Sequence, residues 1–340
     1  MKIKTNIGIL IWTSSLTIMV LFLIIIGGLT RLTDSGLSMV DWRPLMGVIP
    51  PINLDDWIAV FNNYKKTPEF QIVNLNMTLN EFKFIFWWEW FHRFFARLIG
   101  LVFIFPFIYF LLSKKISKNL VYIMMLIFLF GLFQAVIGWW MVKSGLIDNP
   151  YVSSYRLAFH LTNALIIFCL LFWVSLSLFF QKEKKVETSK YGIKYFRISL
   201  ILIFITIISG AFMAGTDAGK SFNTFPLMNE KIFPEGYFID DYGWQNIFKN
   251  TIAINFNHRW LAVFTFLFTF ITTTYTLSSN IENKHHFSLI LVIITLTLQM
   301  FLGIITLIYE APLIFASLHQ TNSVLLLASM LFAYHRLVYK

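Results

Sequence analysis

The sequence predicts an all-α integral membrane protein with eight transmembrane helices, arranged as two pseudo-symmetric four-helix bundles. Composition predicts the membrane, because 57% of the 340 residues are apolar and only 13% are charged. So few charges could not cover a water-exposed surface of this size. Histidines and short motifs that recur along the chain predict the two halves.

Eight apolar stretches each have about the 20 residues that a helix needs to cross the hydrocarbon. They cover 8–29, 94–113, 119–141, 157–180, 196–214, 259–278, 287–309 and 315–334. The first follows Lys2 and Lys4, as a signal peptide would. It is too long for the apolar region of a signal peptide, and no small-residue cleavage site follows it. We therefore expect it to remain as the first helix.

Basic residues in the short loops predict the orientation. Lys114, Lys115 and Lys118 stand without an acid after the second stretch, and further basic residues crowd 182–197. We expect these loops and both termini to be cytoplasmic. The formal charge of +10 then reflects topology and not nucleic-acid binding, since no basic stripe alternates with exposed aromatic residues.

Repeated motifs predict how the chain is divided. An N-terminal half at 1–181 and a C-terminal half at 196–340 flank a cytoplasmic linker at 182–195. The matching segments are GGLTRLTDSG at 27–36 and GAFMAGTDAG at 210–219, Pro44-Leu45-Met46 and Pro226-Leu227-Met228, and Gln134 with Gly138 and Gln299 with Gly303.

Four histidines occupy matching places in the two halves. His92 matches His258, and His160 matches His319. We expect all four at the outer starts of their helices, at one membrane depth. Each half then offers two imidazoles on different helices, which is the axial ligand pair that a haem iron takes. A packing role is the alternative for any single histidine, but four in repeat register favour ligation.

The remaining histidines and the arginines carry weaker signals. His285, His286 and His335 fall near predicted cytoplasmic ends, where we expect them to be solvated. Arginines near the outer helix ends could bind the anionic propionates of haem or could simply anchor the helices at the interface. They are Arg31, Arg93, Arg97, Arg156 and Arg259. A site for another metal is poorly supported, because H-E-x-x-H and cysteine clusters are lacking.

The chain resembles the haem A synthases of bacteria and mitochondria over essentially its whole length. The resemblance lies in GLTRLTDSGLS at 28–38, WRP at 42–44, EWFHR at 89–93, RLIG at 97–100 and QAVIGWWMVKSGL at 134–146. It implies oxidation of a methyl group of haem O to a formyl group, which gives the haem A of cytochrome c oxidases, with haem b as a bound cofactor. Some members carry a cysteine pair in the outer loops, but this chain has only Cys169, so that variant is excluded.

The resemblance also implies a setting. We expect a bacterial inner membrane, with haem sites toward the outer face, and haem O as substrate. A haem O synthase and an electron donor in the membrane are the expected partners. The donor, the source of the inserted oxygen and the oligomeric state, including a homo-oligomer, are left open.

The two halves differ three residues before the first histidine, where Glu89 corresponds to Asn255. On a helix, Glu89 shares a face with His92. A carboxylate beside a reacting haem could stabilise positive charge or move protons. An ion pair with Arg93 is the alternative role for Glu89.

We therefore assign the substrate haem to the first half, with Glu89, His92 and His160 as catalytic residues. Haem b is assigned to His258 and His319 in the second half. Two functions remain open: oxidation of haem O, or a non-catalytic dihaem protein that transfers electrons or carries haem. The difference at Glu89 favours the enzyme, because a symmetric electron conduit gives no reason for it.

Overall fold

The computed structural model describes residues 7–41, 46–147, 149–180, 190–279 and 283–338. Within these ranges the regular elements are helices, and an isolated bridge joins Met228 and Lys231. The α-helices are α1 Ile7–Leu32, α2 Leu54–Tyr64, α3 Pro68–Ile72, α4 Leu79–Leu112, α5 Lys118–Lys143, α6 Ser154–Phe179, α7 Lys190–Gly215, α8 Asn246–Lys249, α9 Thr251–Ser278, α10 Asn283–Ile308 and α11 Leu313–Val338.

Eight helices in the described part of the chain are long and apolar enough to cross a membrane. They are α1, α4, α5, α6, α7, α9, α10 and α11, and each overlaps one predicted stretch. The predicted all-α class with eight spans is confirmed. Their arrangement as two pseudo-symmetric bundles stays a prediction. The Trp42-Arg43-Pro44 motif and most of the predicted linker, at 181–189, lie outside the described residues.

Helix α4 begins at Leu79, well before the apolar stretch predicted from 94. Thr78 and Glu81 form a capping box, in which the backbone N–H of Thr78 donates to the Glu81 carboxylate at 2.7 Å. Charged residues in the first turns lowered the local hydropathy and hid this part of the helix from the sequence analysis. His92 therefore lies roughly three and a half turns inside α4, and not at its start as predicted.

Helix α9 is extended in the same way. It begins at Thr251, where the Asn250 side chain accepts a hydrogen bond from the Ile252 N–H at 3.0 Å. The apolar stretch was predicted only from 259. His258 consequently lies roughly two turns inside its helix.

The chain folds into two compact units, Met1–Phe168 and Cys169–Lys340, whose boundary falls within α6. In the first unit α1 packs on α4, where Trp12 Nε1 donates to the Val102 carbonyl at 2.9 Å. In the second unit α7 packs on α9 and α10 packs on α11. Hydroxyl pairs join these helices, as at Thr295 and Ser329, whose oxygens are 2.8 Å apart.

A small aromatic cap covers the first turns of α4 in the first unit. Helix α2 packs against α4, and buried rings from α2, α3 and α4 form one cluster. Its buried members are Trp57, Phe61, Tyr64, Phe70, Phe82, Ile85 and Phe86. This cap belongs to the long connection between the first two spanning helices.

The expectation that the remaining histidines are solvated is wrong for two of them. His335 is 0% exposed and His285 is 1% exposed. His335 Nε2 lies 3.2 Å from Ser177 Oγ, and its ring packs on Trp173 with centroids 4.7 Å apart. Both residues lie within helices and not in turns.

Candidate functional site

The helices carry the predicted site residues in small groups. Helix α4 holds Glu89, His92, Arg93 and Arg97; α6 holds Arg156 and His160; α9 holds His258 and Arg259; α11 holds His319; and Arg31 lies at the end of α1. The four histidines are half-buried. The structure therefore places one histidine on each of four different spanning helices.

Each unit brings its two histidines together. His160 lies within electrostatic range of His92 in the first unit. His319 stands in the same relation to His258 in the second. Ligation of one haem iron by the two histidines of a unit stays a prediction.

In the first unit, each histidine packs on a glycine of another helix. A β-carbon added at Gly27 of α1 would lie 3.0 Å from His92 Cε1. One added at Gly138 of α5 would lie 3.1 Å from His160 Cε1. These are tight contacts, so the missing side chains let the imidazoles lie directly on the neighbouring helices.

The second unit has the same kind of contact. A β-carbon at Gly303 of α10 would lie only 2.8 Å from His319 Cε1, and one at Gly210 of α7 would lie 3.4 Å from His258 Cε1. The repeat predicts that these glycines match between the halves, but it does not link them to the histidines. The Gln-x-x-x-Gly repeat could have indicated a shared contact, because its glycine and its glutamine lie one helical turn apart on the same face.

That glutamine also contacts the histidine. In the first unit Gln134 Nε2 lies 3.3 Å from His160 Nε2 and donates to the His160 carbonyl at 3.1 Å. Asn163 orients the glutamine by donating from Nδ2 to Gln134 Oε1 at 2.7 Å. Asn163 follows His160 by three residues, and this role for it was not predicted.

The second unit repeats this arrangement with small differences. Gln299 Nε2 lies 3.2 Å from His319 Nδ1 and 3.4 Å from its Nε2. Asn322 donates from Nδ2 to Gln299 Oε1 at 2.8 Å. The glutamine, asparagine and glycine together restrict where the His319 ring can lie.

Glu89 is the centre of a buried hydrogen-bond cluster. It is 2% exposed, and its Oε2 accepts from Ser38 Oγ at 2.7 Å and from the Met39 N–H at 2.8 Å. Its Oε1 pairs with Arg93, one turn further along α4. Arg93 also donates to the Met39 carbonyl at 3.1 Å. The carboxylate therefore ties the segment after α1 to α4.

A neutral residue makes the corresponding tie in the second unit. Asn255 is 0% exposed and donates from Nδ2 to the Ala218 carbonyl at 2.7 Å. It accepts at Oδ1 from Arg259 Nε at 2.6 Å, and Arg259 also donates to the carbonyls of Phe222 and Thr224. Tethering this segment thus requires hydrogen bonds but no negative charge.

The other arginines also contact protein atoms. Arg31 pairs with Asp34 at 2.7 Å. Arg156 donates to the Trp140 carbonyl at 2.6 Å and lies over the Trp140 ring, 4.4 Å from its centroid. Arg97 is half-buried on α4. Propionate binding by these residues stays a prediction.

A cavity of about 360 Å³ lies beside the Glu89 cluster in the first unit. It is lined by Met39, Val40, Asp41, Arg93, Trp139, Val142, Lys143 and Leu146. Two cations and one acid therefore face it. Lys143 Nζ also lies 5.1 Å from the centroid of the Trp139 ring. Lys143 lies within the motif at 134–146, and no role was predicted for it.

Among the described residues, no group of three or more histidine, cysteine or acidic side chains is placed to hold a metal ion. The donor sets are instead two imidazoles per unit. Paired imidazoles and tight glycine contacts suit a flat group such as haem. The fold therefore defines a multi-pass membrane protein, and the described part of each unit brings two histidines into the same region.

Comparison with known proteins gives the particular family. Residues 10–331 match the family described as cytochrome oxidase assembly protein, COX15-CtaA, and the chain belongs to it. A heme A synthase of Nitrosospira multiformis is 40% identical over 334 residues, which cover 97% of this chain and 93% of that protein. Heme A synthases of Wolbachia pipientis from Culex pipiens, at 41% over 322 residues, and of Flavobacterium psychrophilum, at 40% over 341 residues, cover at least 95% of both chains. The resemblance predicted from sequence is confirmed.

Proposed function

We propose that this protein is an oxidoreductase that converts haem O into haem A for cytochrome oxidase. The relatives named heme A synthase match it over nearly its whole length. The observation that carries the proposal is the pairing of two histidines in each unit, each packed on a glycine of another helix. Two such pairs suit one resident haem and one substrate haem.

His258 and His319 would hold haem b, and His92 and His160 would hold haem O. Bound haem iron supplies the redox chemistry needed to oxidise an unactivated methyl group, which amino-acid side chains cannot provide alone. The histidines would hold each haem, and the glycines let their rings lie directly on the neighbouring helices. The glutamines and asparagines next to His160 and His319 limit rotation of these rings.

Glu89 supports placing the reaction in the first unit. Its tether to the segment after α1 is reproduced by Asn255 in the second unit without a charge. A neutral amide oxygen could also accept from Ser38 and Met39, so the tether alone does not require the negative charge. Glu89 can hold or move a proton at Oε2, where Ser38 donates to it, or stabilise positive charge developing on the substrate.

The neighbouring cavity supports a site for the acidic edge of the substrate. Arg93 and Lys143 line it, and such cations attract carboxylates such as haem propionates. Arg93 also contacts Glu89. The cavity and the proposed catalytic carboxylate are thus linked through one side chain.

A non-catalytic dihaem protein is the second candidate. The glycine contacts and glutamine contacts recur in both units, as they would in a symmetric electron conduit. The charged Glu89 opposite the neutral Asn255 disfavours it. Both functions fit a location in a bacterial inner membrane, with both termini cytoplasmic and the haem sites toward the outer face. Haem O synthase and a membrane electron donor are the proposed partners.

Pigment extraction tests the proposed function. The chain is expressed beside a haem O synthase in cells that lack haem A, and the haems are separated by chromatography. We expect haem A in these membranes and only haem O and haem b in membranes without the chain. If haem O and haem b alone accumulate with the chain stably inserted, the enzyme is excluded and the dihaem protein is favoured.

A further inference from the structure

One histidine has a hydroxyl partner that its counterpart lacks. Ser209 Oγ on α7 lies 3.1 Å from His258 Nδ1 on α9. Ser209 directly precedes Gly210, which packs on the same imidazole. Two consecutive residues of α7, a serine and a glycine, therefore contact the same imidazole ring.

The first unit differs at the matching position. In the repeat register Gly27 corresponds to Gly210, so Ile26 corresponds to Ser209. Isoleucine has no hydrogen-bonding side chain. Consistent with this, His92 Nδ1 is buried and has no hydrogen-bond partner in the part of the chain that the structure describes.

The hydroxyl affects which nitrogen of His258 can bind a metal. A neutral imidazole carries one proton, and the nitrogen without it provides the lone pair. When His258 carries its proton on Nδ1 and donates a hydrogen bond to the Ser209 oxygen, the Nε2 lone pair is left free. Such a hydrogen bond also fixes the plane of the ring and raises its basicity. His92 lacks this constraint in the described chain.

We propose that Ser209 is a positioning residue that holds His258 with Nε2 free to bind the iron of the resident haem. This inference rests on the proposed assignment of haem b to the second unit. It gives a physical reason for that assignment, because a permanently bound haem gains from a preset ligand. A substrate haem must enter and leave, so a less constrained ligand such as His92 suits it.

The test uses the purified full-length protein with haem b bound. Ser209→Ala removes the hydroxyl, and Ser209→Thr keeps it. Ser199→Ala is the matched control, because Ser199 lies on the same helix, is 0% exposed, and has an Oγ atom without a hydrogen-bond partner among the described residues. The readouts are the midpoint potential of haem b and the rate at which haem b passes to an excess of apomyoglobin.

We expect Ser209→Ala to raise the midpoint potential, since a less basic imidazole stabilises ferric iron less. The transfer of haem b should become faster by about 10-fold to 100-fold, the effect typical of losing such a partner of a metal ligand. Ser209→Thr and Ser199→Ala should match the wild type in both readouts. Unchanged values in Ser209→Ala, or equal changes in Ser209→Ala and Ser209→Thr, would overturn the inference.

A further variant separates this inference from the assignment on which it rests. His258→Ala should lose haem b. If it retains haem b, the assignment of that haem to the second unit is wrong. If His258→Ala loses haem b while Ser209→Ala behaves as the wild type, the assignment stands and only the role of Ser209 is refuted.

Discussion

Glu89 and Asn255 occupy the same place in the two halves, and each ties its helix to another segment, Glu89 by accepting hydrogen bonds and Asn255 by donating one. Each lies one turn before an arginine and binds both that arginine and the segment that follows the first helix of its unit. The structure therefore contains the ion pair with Arg93 that was the alternative role for Glu89. It does not account for the charge, because Asn255 provides the tether without one.

Replacing Glu89 by glutamine separates its two roles. Glu89→Gln keeps an acceptor for Ser38 and Met39 and removes the charge. We expect haem b content to persist while haem A formation falls by about 10²-fold or more, as for loss of an acid–base or charge-stabilising group. Extracted pigments measure both. Glu81→Gln is the control, since Glu81 lies on the same helix and only caps its end. Near-normal haem A output from Glu89→Gln would leave Glu89 as a tether.

At the scale of helices, glycines let neighbouring helices approach closely where the histidines lie. The four contacts are not equally tight: an added β-carbon would lie 2.8 Å from the ring at Gly303 but 3.4 Å at Gly210. The first distance is too short for a carbon atom, whereas the second is ordinary van der Waals contact. The tolerance of each glycine to alanine should follow this order.

Alanine substitutions in the second unit test this directly. Gly303→Ala should displace the His319 ring and lower the haem b content of the purified protein. Gly210→Ala should keep most of its haem b. Gly100→Ala is the control, because an added β-carbon there meets no atom within 4 Å; it should keep full haem content and favour the helix by roughly 0.5–1 kcal/mol. Equal haem loss in Gly303→Ala and Gly210→Ala would contradict the packing argument.

The aromatic cap on α4 contains a buried acid. Glu69 is 6% exposed, and its Oε2 accepts from the Tyr64 hydroxyl at 2.8 Å. Burial raises the pKa of Glu69 to about 8, although the hydrogen bond from Tyr64 opposes this. Smaller influences come from the nearby charges of Glu89, Asp34 and Arg31. The folded cap therefore binds a proton that the unfolded cap releases above pH 4.5.

The cap should consequently weaken as the pH rises. The stabilisation that comes from protonated Glu69 is fully present below the unfolded pKa of 4.5 and is lost as the pH rises to about 8. For one proton, the loss is up to about 1.4 kcal/mol per pH unit. Amide hydrogen exchange in residues 54–72, corrected for the intrinsic pH dependence, measures this. Glu69→Gln should flatten the profile between those two pH values. An identical profile in Glu69→Gln would show that another group is responsible.

For the whole molecule, the spanning helices could be predicted because the length of an apolar stretch can be counted in the sequence. The part of α4 before residue 94 was missed because charged residues lower its hydropathy, among them Glu81 and Lys83 in the first turns and the buried pair of Glu89 and Arg93 further along. The partners of the histidines were missed for another reason. Ser209 and Gln299 meet their rings only through the register of one helix against another, which sequence spacing does not reveal.

Fusions to a phosphatase that is active only outside the cytoplasm test the predicted topology. We expect activity for fusions within 50–75 or 225–245, and none for fusions at 182–190 or after Lys340. The charge bias of the short loops is the reason. Activity at 182–190 would invert the orientation and place all four histidines toward the cytoplasm.

The haem b content of four histidine variants tests the division of labour between the halves most directly. Each of His92, His160, His258 and His319 is replaced by alanine, and the low-spin absorbance spectrum of haem b is recorded for each purified protein. His258→Ala and His319→Ala should lose this spectrum, whereas His92→Ala and His160→Ala should largely keep it. Retention of haem b in His258→Ala, or equal loss in all four variants, would contradict the account.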